Sequence, residues 1–148
     1  MKIHFICSFN ATRSRLAEAY ARSVFPKGFL IDSSGVKATG KGFNKGLSRY
    51  AYNIIKKNNL EKYVSKKSVG TTLELLQDRD LIIFMEPRHL SYVQTNFNYT
   101  PLNYECWGIK DESNDFMRHL FGLGFKKEDQ MDILIMNKVD DLLKRLVV

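Results

Sequence analysis

Two residues near the start of the chain, Cys7 and Arg13, have side chains and a spacing suited to phosphate chemistry. The apolar run at residues 3–6 predicts a strand that leads into the cysteine, and residues 15–21 have a helical pattern. The short loop between thiol and guanidinium is long enough for its backbone amides to surround one phosphate. A helix N-terminus beneath that loop would attract an anion and favour a thiolate over a thiol. The spacing therefore indicates cysteine-dependent hydrolysis of a phosphate ester.

The predicted phosphate-binding loop contains Ser8, Phe9, Asn10, Ala11, Thr12, Arg13 and Ser14. Asn10 tolerates a left-handed backbone, and Ser14 can donate a hydrogen bond to the thiolate. The planar guanidinium of Arg13 can hold two phosphate oxygens at once. The alternative is a buried cysteine that ends a core strand, followed by an ordinary arginine in a first helical turn. A cation is electrostatically misplaced at a helix start, however, and this favours an anionic ligand.

In these residues the chain resembles the low-molecular-weight protein tyrosine phosphatases. Their loop reads Cys-x-Gly-Asn-x-Cys-Arg-Ser-Pro and is usually followed by an Ala-Glu-Ala helix. The matching positions are Cys7, Asn10, Arg13, Ser14 and the run Ala17-Glu18-Ala19. Asp32–Gly35 and Asp80–Met85 also resemble segments at the family's second and third strands. The resemblance implies a phosphatase without metal or cofactor. It would act on phosphotyrosine or other aryl phosphates through a phosphocysteine, with phosphate and other oxyanions as inhibitors.

The chain also departs from the family pattern. Phe9, Thr12 and Arg15 stand where the family has Gly, Cys and Pro. Lys66 or Lys67 occupies the position of a family histidine that braces the loop asparagine. These differences suggest a divergent member, and they bear on substrate preference more than on the chemistry.

The family's Asp-Pro-Tyr, which carries the general acid, is absent as written. The nearest equivalent is the segment Ile109-Lys110-Asp111-Glu112-Ser113, at the expected place after the fourth strand. We expect Asp111 to be the general acid, because a carboxyl within reach can protonate a poor leaving group. Asp115 is the second candidate and Glu112 the third.

Three aromatic residues could line a pocket for an aryl leaving group: Phe9, Tyr104 and Trp107. Ordinary packing is an equal alternative for Trp107 and the favoured one for Tyr104. His4 alternates inside the first strand and is expected to be packed rather than catalytic. His89 and His119 have no partner that the sequence identifies.

Length and composition are those of one domain, residues 1–148, with 44% apolar residues. The two cysteines, Cys7 and Cys106, do not form a disulfide framework or a zinc-ligand spacing. A functional thiol needs a reducing compartment, so we expect the cytoplasm. The N-terminus does not resemble a signal peptide, and no apolar run is long enough to span a membrane.

Positive charge is concentrated in one part of the chain. The net charge is +7, and Lys37–Lys67 contains nine Lys and Arg residues but one acid, Glu61. Such a segment can attract phosphoproteins or nucleotides, although a solvated basic helix face is the simpler interpretation. Aromatic residues lie among these cations, but nucleic-acid binding is disfavoured because their spacing fits packing better.

Strands and helices alternate along the chain, which predicts an α/β fold: a four-stranded parallel sheet with helices on both faces. Strands are predicted at 2–7, 29–33, 80–85 and 102–106, and helices at 14–24, 44–58, 87–95 and 128–146. A further short helix is predicted at Thr71-Thr72-Leu73-Glu74, which resembles a capping box. Segment 114–129 is left unassigned. Right-handed crossovers would bring the phosphate loop, Met85-Glu86 and Asp111 to one edge of the sheet.

Two further functions remain open. A phosphate- or phosphoprotein-binding module would keep the loop without turnover, as the missing Asp-Pro-Tyr suggests. Arsenate reduction uses the same fold but needs a relay of further thiols, and Cys106 is the one remaining.

Overall fold

The computed structural model describes residues 1–38, 46–111 and 130–147. Its sheet has four parallel strands in the order β2-β1-β3-β4. The strands are β1 (Lys2–Cys7), β2 (Leu30–Gly35), β3 (Leu81–Phe84) and β4 (Tyr104–Cys106). β3 is buried throughout and β1 nearly so, because a parallel sheet is covered on both faces. The predicted fold class is confirmed.

Five helices lie in the described residues: α1 (Arg13–Val24), α2 (Arg49–Lys57), α3 (Leu73–Gln77), α4 (Pro87–Phe97) and α5 (Met131–Leu146). Two apolar clusters show which face each one covers. Phe5 points into the cluster formed with α1, α2 and α5, and Ile6 points into the one formed with α3 and α4. Neighbouring strand residues thus face opposite layers, and helices cover both faces.

Element bounds differ from the sequence expectation at several ends. α2 begins at Arg49 rather than at 44, because Ser48 caps it by accepting a hydrogen bond from the Ala51 amide. β2 extends to Gly35, which pairs with Cys7. β4 is shorter than predicted, and α4 continues to Phe97. Predicted helix positions 44–45 and 128–129 lie outside the described residues.

The other predicted elements agree closely with the structure. The short helix predicted after Thr71-Thr72-Leu73-Glu74 is present, but its cap is one residue later than the capping-box pattern implies: Thr72 Oγ1 accepts from the Leu75 amide at 3.2 Å. Pro87 starts α4, where the missing amide hydrogen costs nothing. None of the helices in the described ranges is long and apolar enough to cross a membrane.

Candidate active site

The loop between β1 and α1 is held by its carbonyl groups. Four carbonyls accept hydrogen bonds from residues outside the loop: Cys7 from Val36, Ser8 from Lys37, Asn10 from Ser68 and Ala11 from Ser48. The Thr12 carbonyl accepts from the Leu16 amide inside α1. The loop is therefore fixed from outside by the rest of the fold.

This anchoring determines where the loop amides point. In a trans peptide the N–H of one residue is antiparallel to the carbonyl of the residue before it. Carbonyls directed outward therefore turn the amides of residues 8, 9, 11, 12 and 13 toward the inside of the loop. With the N-terminus of α1 beneath them, they form a concave site for an anion, which we call the cradle (residues 8–13).

Asn10 fixes the shape of the cradle and is completely buried. Its φ of 52° is in the left-handed region, as its residue type predicts. Its amide nitrogen donates to Ser14 Oγ and Ser33 Oγ, both at 2.8 Å, and its Oδ1 accepts from the Val69 amide at 2.8 Å. Ser33 in turn donates to the Glu18 carboxylate.

Cys7 lies at the end of this hydrogen-bond chain. Its sulfur is 3.0 Å from Ser14 Oγ. Because Ser14 Oγ already accepts from Asn10, its own proton is available for the sulfur. The arrangement suits a thiolate, and the predicted contact between Ser14 and Cys7 is present.

The bracing of Asn10 differs from the expectation based on Lys66 or Lys67. Asn10 is braced by Ser33 and by the backbone of Val69. Neither lysine is among its partners in the described residues, and both side chains are exposed. That expectation is wrong, because the segment after the two lysines approaches Asn10 with its backbone.

Arg13 begins α1 and is 1% exposed. Its Nη1 donates to Glu86 Oε2 at 2.6 Å and to the Ile109 carbonyl at 2.8 Å. Its Nη2 makes only a long contact of 3.5 Å with Ser8 Oγ, and Nε has no hydrogen-bond partner in the structure. One side of the guanidinium is therefore held by protein, and the Nε–Nη2 edge remains for two oxygens of a phosphate.

Glu86 compensates the charge of Arg13 and also pairs with Arg88 at 2.8 Å. Burial acts to raise the pKa of Glu86, but hydrogen bonds and charges from the two arginines outweigh it and hold the pKa below its ordinary value. Glu86 is thus a carboxylate that orients Arg13. Sequence reasoning placed Glu86 at this edge of the sheet but gave it no role.

His89 has partners that the sequence did not reveal. The Glu86 amide donates to His89 Nδ1 at 3.1 Å, and Nε2 lies 3.0 Å from Ser8 Oγ. Burial, assisted by the charges of Arg13 and Arg88, lowers the pKa of His89 to about 4. The ring is therefore neutral at pH 7. Because Nδ1 accepts, the proton is on Nε2 and is donated to Ser8, the first residue of the cradle.

Gly35 lies directly beneath the cradle. A Cβ at this position would be 2.6 Å from the Asn10 nitrogen and 2.7 Å from the Ser8 oxygen. These are backbone atoms that a side chain cannot displace cheaply. The glycine therefore allows β2 to approach the loop closely enough for Val36 and Lys37 to hold it.

The chain after β4 also reaches Arg13. The Ile109 amide donates to the Met85 carbonyl at 2.7 Å, and the Ile109 carbonyl accepts from Arg13. Asp111 follows two residues later and is exposed. The other two candidate acids, Glu112 and Asp115, and also His119, lie outside the described residues.

The aromatic residues divide into two groups. Trp107 packs in the core against Phe5, with ring centroids 5.5 Å apart, and Tyr104 packs on Phe84 at 6.1 Å. For these two, packing is the observed arrangement. Phe9 is 41% exposed on the loop itself.

His4 is packed, as expected. It is completely buried between Asp32 and Ser34, at 2.5 Å and 2.7 Å from its two ring nitrogens. Cys106, on β4, is exposed. The described residues contain no group of three or more His, Cys, Asp or Glu side chains that could hold a metal ion.

Comparisons with known proteins agree with this geometry. The family model described as low molecular weight phosphotyrosine protein phosphatase matches residues 2–102. The low molecular weight protein-tyrosine-phosphatase PtpB of Staphylococcus aureus is 31% identical over 98 residues, which are 66% of this chain and 65% of that protein. The match thus spans slightly less than two thirds of this relative.

Solved structures share the fold over nearly the whole chain. SP-PTP, a low molecular weight protein tyrosine phosphatase from Streptococcus pyogenes, has a TM-score of 0.76 at 20% identity, covering 99% of this chain and 93% of that one. Wzb from Vibrio vulnificus, in complex with benzylphosphonate, has a TM-score of 0.76 at 19% identity, covering 98% of both chains. From the family match over residues 2–102, the chain belongs to the low molecular weight phosphotyrosine protein phosphatase family.

Proposed function

We propose that this protein is a cysteine-dependent phosphatase that hydrolyses phosphotyrosine or other aryl phosphate monoesters through a phosphocysteine intermediate. The observation that carries the proposal is the cradle. The Cys7 sulfur is 3.0 Å from Ser14 Oγ, at the start of a loop whose anchored carbonyls turn the amides inward. Arg13, at the end of the same loop, has an Nε without a hydrogen-bond partner in the part of the chain that the structure describes. Family membership and the name of the Staphylococcus aureus relative support the same activity.

In the first step, the Cys7 thiolate attacks phosphorus in line with the ester oxygen. The S–P bond forms as the P–O bond breaks. The amides of the cradle and the Nε–Nη2 edge of Arg13 stabilise the charge on the equatorial oxygens. Asp111, the proposed general acid, gives its proton to the leaving phenolate. The structure of a YwlE arginine phosphatase C7S mutant with a phosphorylated active-site serine supports a covalent step of this kind.

In the second step, water attacks the phosphocysteine. Asp111, now ionised, takes a proton from that water, and Cys7 leaves as a thiolate that Ser14 stabilises. The products are inorganic phosphate and free enzyme. Dividing one displacement into two lowers the barrier of each. None of the protein groups that act in these two reaction steps requires a metal or cofactor.

The setting of the enzyme is part of the proposal. We propose one catalytic domain over residues 1–148 that acts in the cytoplasm, where the thiol stays reduced. Its substrates are phosphotyrosine proteins or small aryl phosphates. Inorganic phosphate and other oxyanions inhibit it by occupying the cradle.

The decisive experiment measures hydrolysis of p-nitrophenyl phosphate and traps the intermediate. We expect Cys7→Ser to abolish turnover while the fold persists, and acid-quenched wild-type protein to carry phosphate on Cys7. Cys106→Ser is the matched control, since this exposed thiol is on β4, and it should retain activity. Normal turnover by Cys7→Ser would overturn the mechanism. Tight phosphate binding without a phosphocysteine would instead indicate a binding module.

The general acid is tested separately. We expect Asp111→Asn to slow esters with poor leaving groups most, by about 10²–10⁴-fold, because general acid catalysis contributes on that order. A rate series over phenols of different pKa measures this. An unchanged dependence on the leaving group would transfer the role to Asp115 or Glu112.

A further inference from the structure

Arg15 has an unusual environment for a charged side chain. It occupies the first turn of α1 and is 2% exposed. Its Nη2 donates to the Ser65 carbonyl, but Nε and Nη1 are buried without a hydrogen-bond partner in the structure. Buried polar groups are nearly always paired, so two unpaired nitrogens on one guanidinium require an explanation.

The nearest carboxylate does not pair with Arg15. Glu18 is one turn away, but its Oε1 pairs with Arg22 at 2.7 Å and its Oε2 accepts from Ser33 and Ser65. Burial lowers the pKa of Arg15, and the charges of Glu18 and Cys7 offset this only in part. Within the described residues, the positive charge at this helix N-terminus therefore has no carboxylate in an ion pair with it.

Arg15 lies on the wall of a cavity of about 710 Å³, which we call the Arg15 cavity. The start of α2 and the segment 61–66 form the other walls. Its further charged lining residues are Arg49, Glu61, Lys62 and Lys66. Four cations and one acid give the cavity a positive potential that attracts anions.

The cavity and the cradle share a wall. Ser48, between the lining residues Leu47 and Arg49, donates its amide to the Ala11 carbonyl at 2.9 Å. Ser48 Oγ also accepts a hydrogen bond from Thr12 Oγ1 at 2.7 Å. Ser48 therefore connects the segment that lines the cavity to the outer side of the loop that forms the cradle.

We propose that the Arg15 cavity is a second anion subsite, which binds a carboxylate or phosphate group that the substrate carries beside the reacting phosphate. The subsite rests on the proposed phosphatase function and narrows its substrate class to acidic phosphotyrosine peptides. A carboxylate or phosphate has the oxygen acceptors that Nε and Nη1 lack. The family pattern has Pro at this position, so the guanidinium is a feature of this chain.

The test compares two phosphotyrosine peptides that differ only in their flanking residues, Asp and Glu in one and Asn and Gln in the other. We expect kcat/KM to be about tenfold higher for the acidic peptide at low salt, the size of one charge-assisted hydrogen bond. Arg15→Gln should bring this ratio close to one, with Arg15→Lys between. A third peptide with a flanking phosphoserine shows whether the proposed subsite binds a phosphate group as well as it binds a carboxylate.

Two sets of variants control for folding. Arg49→Gln and Lys62→Gln alter exposed residues on the cavity wall, so they should fold normally and lower the ratio in part. Lys56→Gln removes one charge from the exposed face of α2 outside the cavity and should leave the ratio unchanged. A ratio near one for the wild-type protein, with both peptides hydrolysed, would overturn the subsite and leave the phosphatase function intact.

A binding measurement separates the two proposals. The Nε–H NMR signal of Arg15 is followed during titration with inorganic phosphate in an Arg13→Gln background, in which the cradle is impaired. A saturable shift of the Arg15 signal supports the subsite even if neither peptide is hydrolysed, in which case the proposed function fails alone. An unmoved Arg15 signal in folded protein would overturn the subsite.

Discussion

Arg13 and Arg15 are two residues apart in the first turn of α1, and both are almost completely buried. Their surroundings differ. Arg13 has a carboxylate partner in Glu86 and a carbonyl partner at Ile109, whereas the one hydrogen-bond partner of Arg15 among the described residues is the Ser65 carbonyl. The same residue type is thus compensated in the cradle and uncompensated in the Arg15 cavity.

The difference shows that a buried arginine can be held in place by a carboxylate of the protein or can be left without one, so that its charge is available to a bound anion. A charge with its own carboxylate is held in place before substrate arrives, which suits transition-state stabilisation. A buried charge without a carboxylate partner lowers the stability of the ligand-free protein. Its interaction with an incoming anion is correspondingly more favourable. The following predictions test this contrast, from the largest expected effect to the smallest.

The largest effect is expected for Arg13→Lys. Lysine keeps the charge but cannot present two parallel donors while also holding Glu86. We expect kcat/KM for p-nitrophenyl phosphate to fall by about 10²–10³-fold, the loss typical of one oxyanion donor. Steady-state kinetics measures this, and a loss below about tenfold would show that charge alone is sufficient.

The second prediction compares the glycines of the two regions. Gly35→Ala places a methyl group against the backbone of the cradle, and we expect the free energy of unfolding to fall by about 3 kcal/mol. Gly46, next to Leu47 on the cavity wall, has no atom of the described residues within 4 Å of an added methyl group, so Gly46→Ala should have little effect. Urea denaturation measures both. Equal losses of unfolding free energy in the two variants would show that the cradle accommodates an added methyl group as readily as the cavity wall does.

The third prediction concerns the acid sensitivity of the cradle. The pKa of His89 is lowered from 6.5 to about 4, so the unfolded chain binds more protons between these values. Stability contributed by the neutral ring is complete above pH 6.5 and is lost as the pH falls toward 4. Between pH 7 and pH 5 this loss is roughly 2 kcal/mol.

His89→Gln should remove that part of the pH dependence, as measured by urea denaturation at the two pH values. Burial also lowers the pKa of His4, so a further loss with the same sign should remain. An unchanged pH dependence in His89→Gln would show that the ring takes up its proton as readily in the folded protein.

The smallest effect is expected for Arg15→Met, and its sign distinguishes the two arginines. Because the charge of Arg15 has no carboxylate partner, an apolar side chain of similar length should leave the free energy of unfolding unchanged or raise it by about 1 kcal/mol. Arg13→Met should lower it, because Glu86 loses a partner. Thermal or urea denaturation measures both, and a clear loss in Arg15→Met would contradict the contrast.

The local part of the site could be predicted from the sequence because its contacts are local. Cys7 and Ser14 are seven residues apart, and Asn10 adopts the backbone that its residue type allows. The sheet was predictable from alternating apolar runs. The order of the loops along its edge followed from right-handed crossovers, which bring Glu86 to Arg13 from 73 positions away.

The missed interactions all depend on distant partners. His89 forms a hydrogen bond with Ser8, which is 81 positions away, and no local sequence pattern predicts this contact. Arg15 was recognisable as a departure from the family pattern, but its hydrogen-bond partner, the Ser65 carbonyl, is 50 positions away. The bracing of Asn10 was misassigned because a backbone amide, Val69, carries no sequence signal. Asp111 as general acid stays a prediction.

Ser48 makes hydrogen bonds both to the cradle and within the helix whose start lines the Arg15 cavity. It holds the cradle at Ala11 and Thr12 and also begins α2 through the Ala51 amide. An anion in the Arg15 cavity, as proposed above, would lie beside Leu47 and Arg49, the chain neighbours of the serine whose hydrogen bonds hold the cradle. By thermodynamic linkage, whatever factor cavity occupancy applies to phosphate affinity, phosphate must apply in return. Under that proposal, the amide and hydroxyl of Ser48 would make recognition of a neighbouring group and binding of the reacting group mutually dependent.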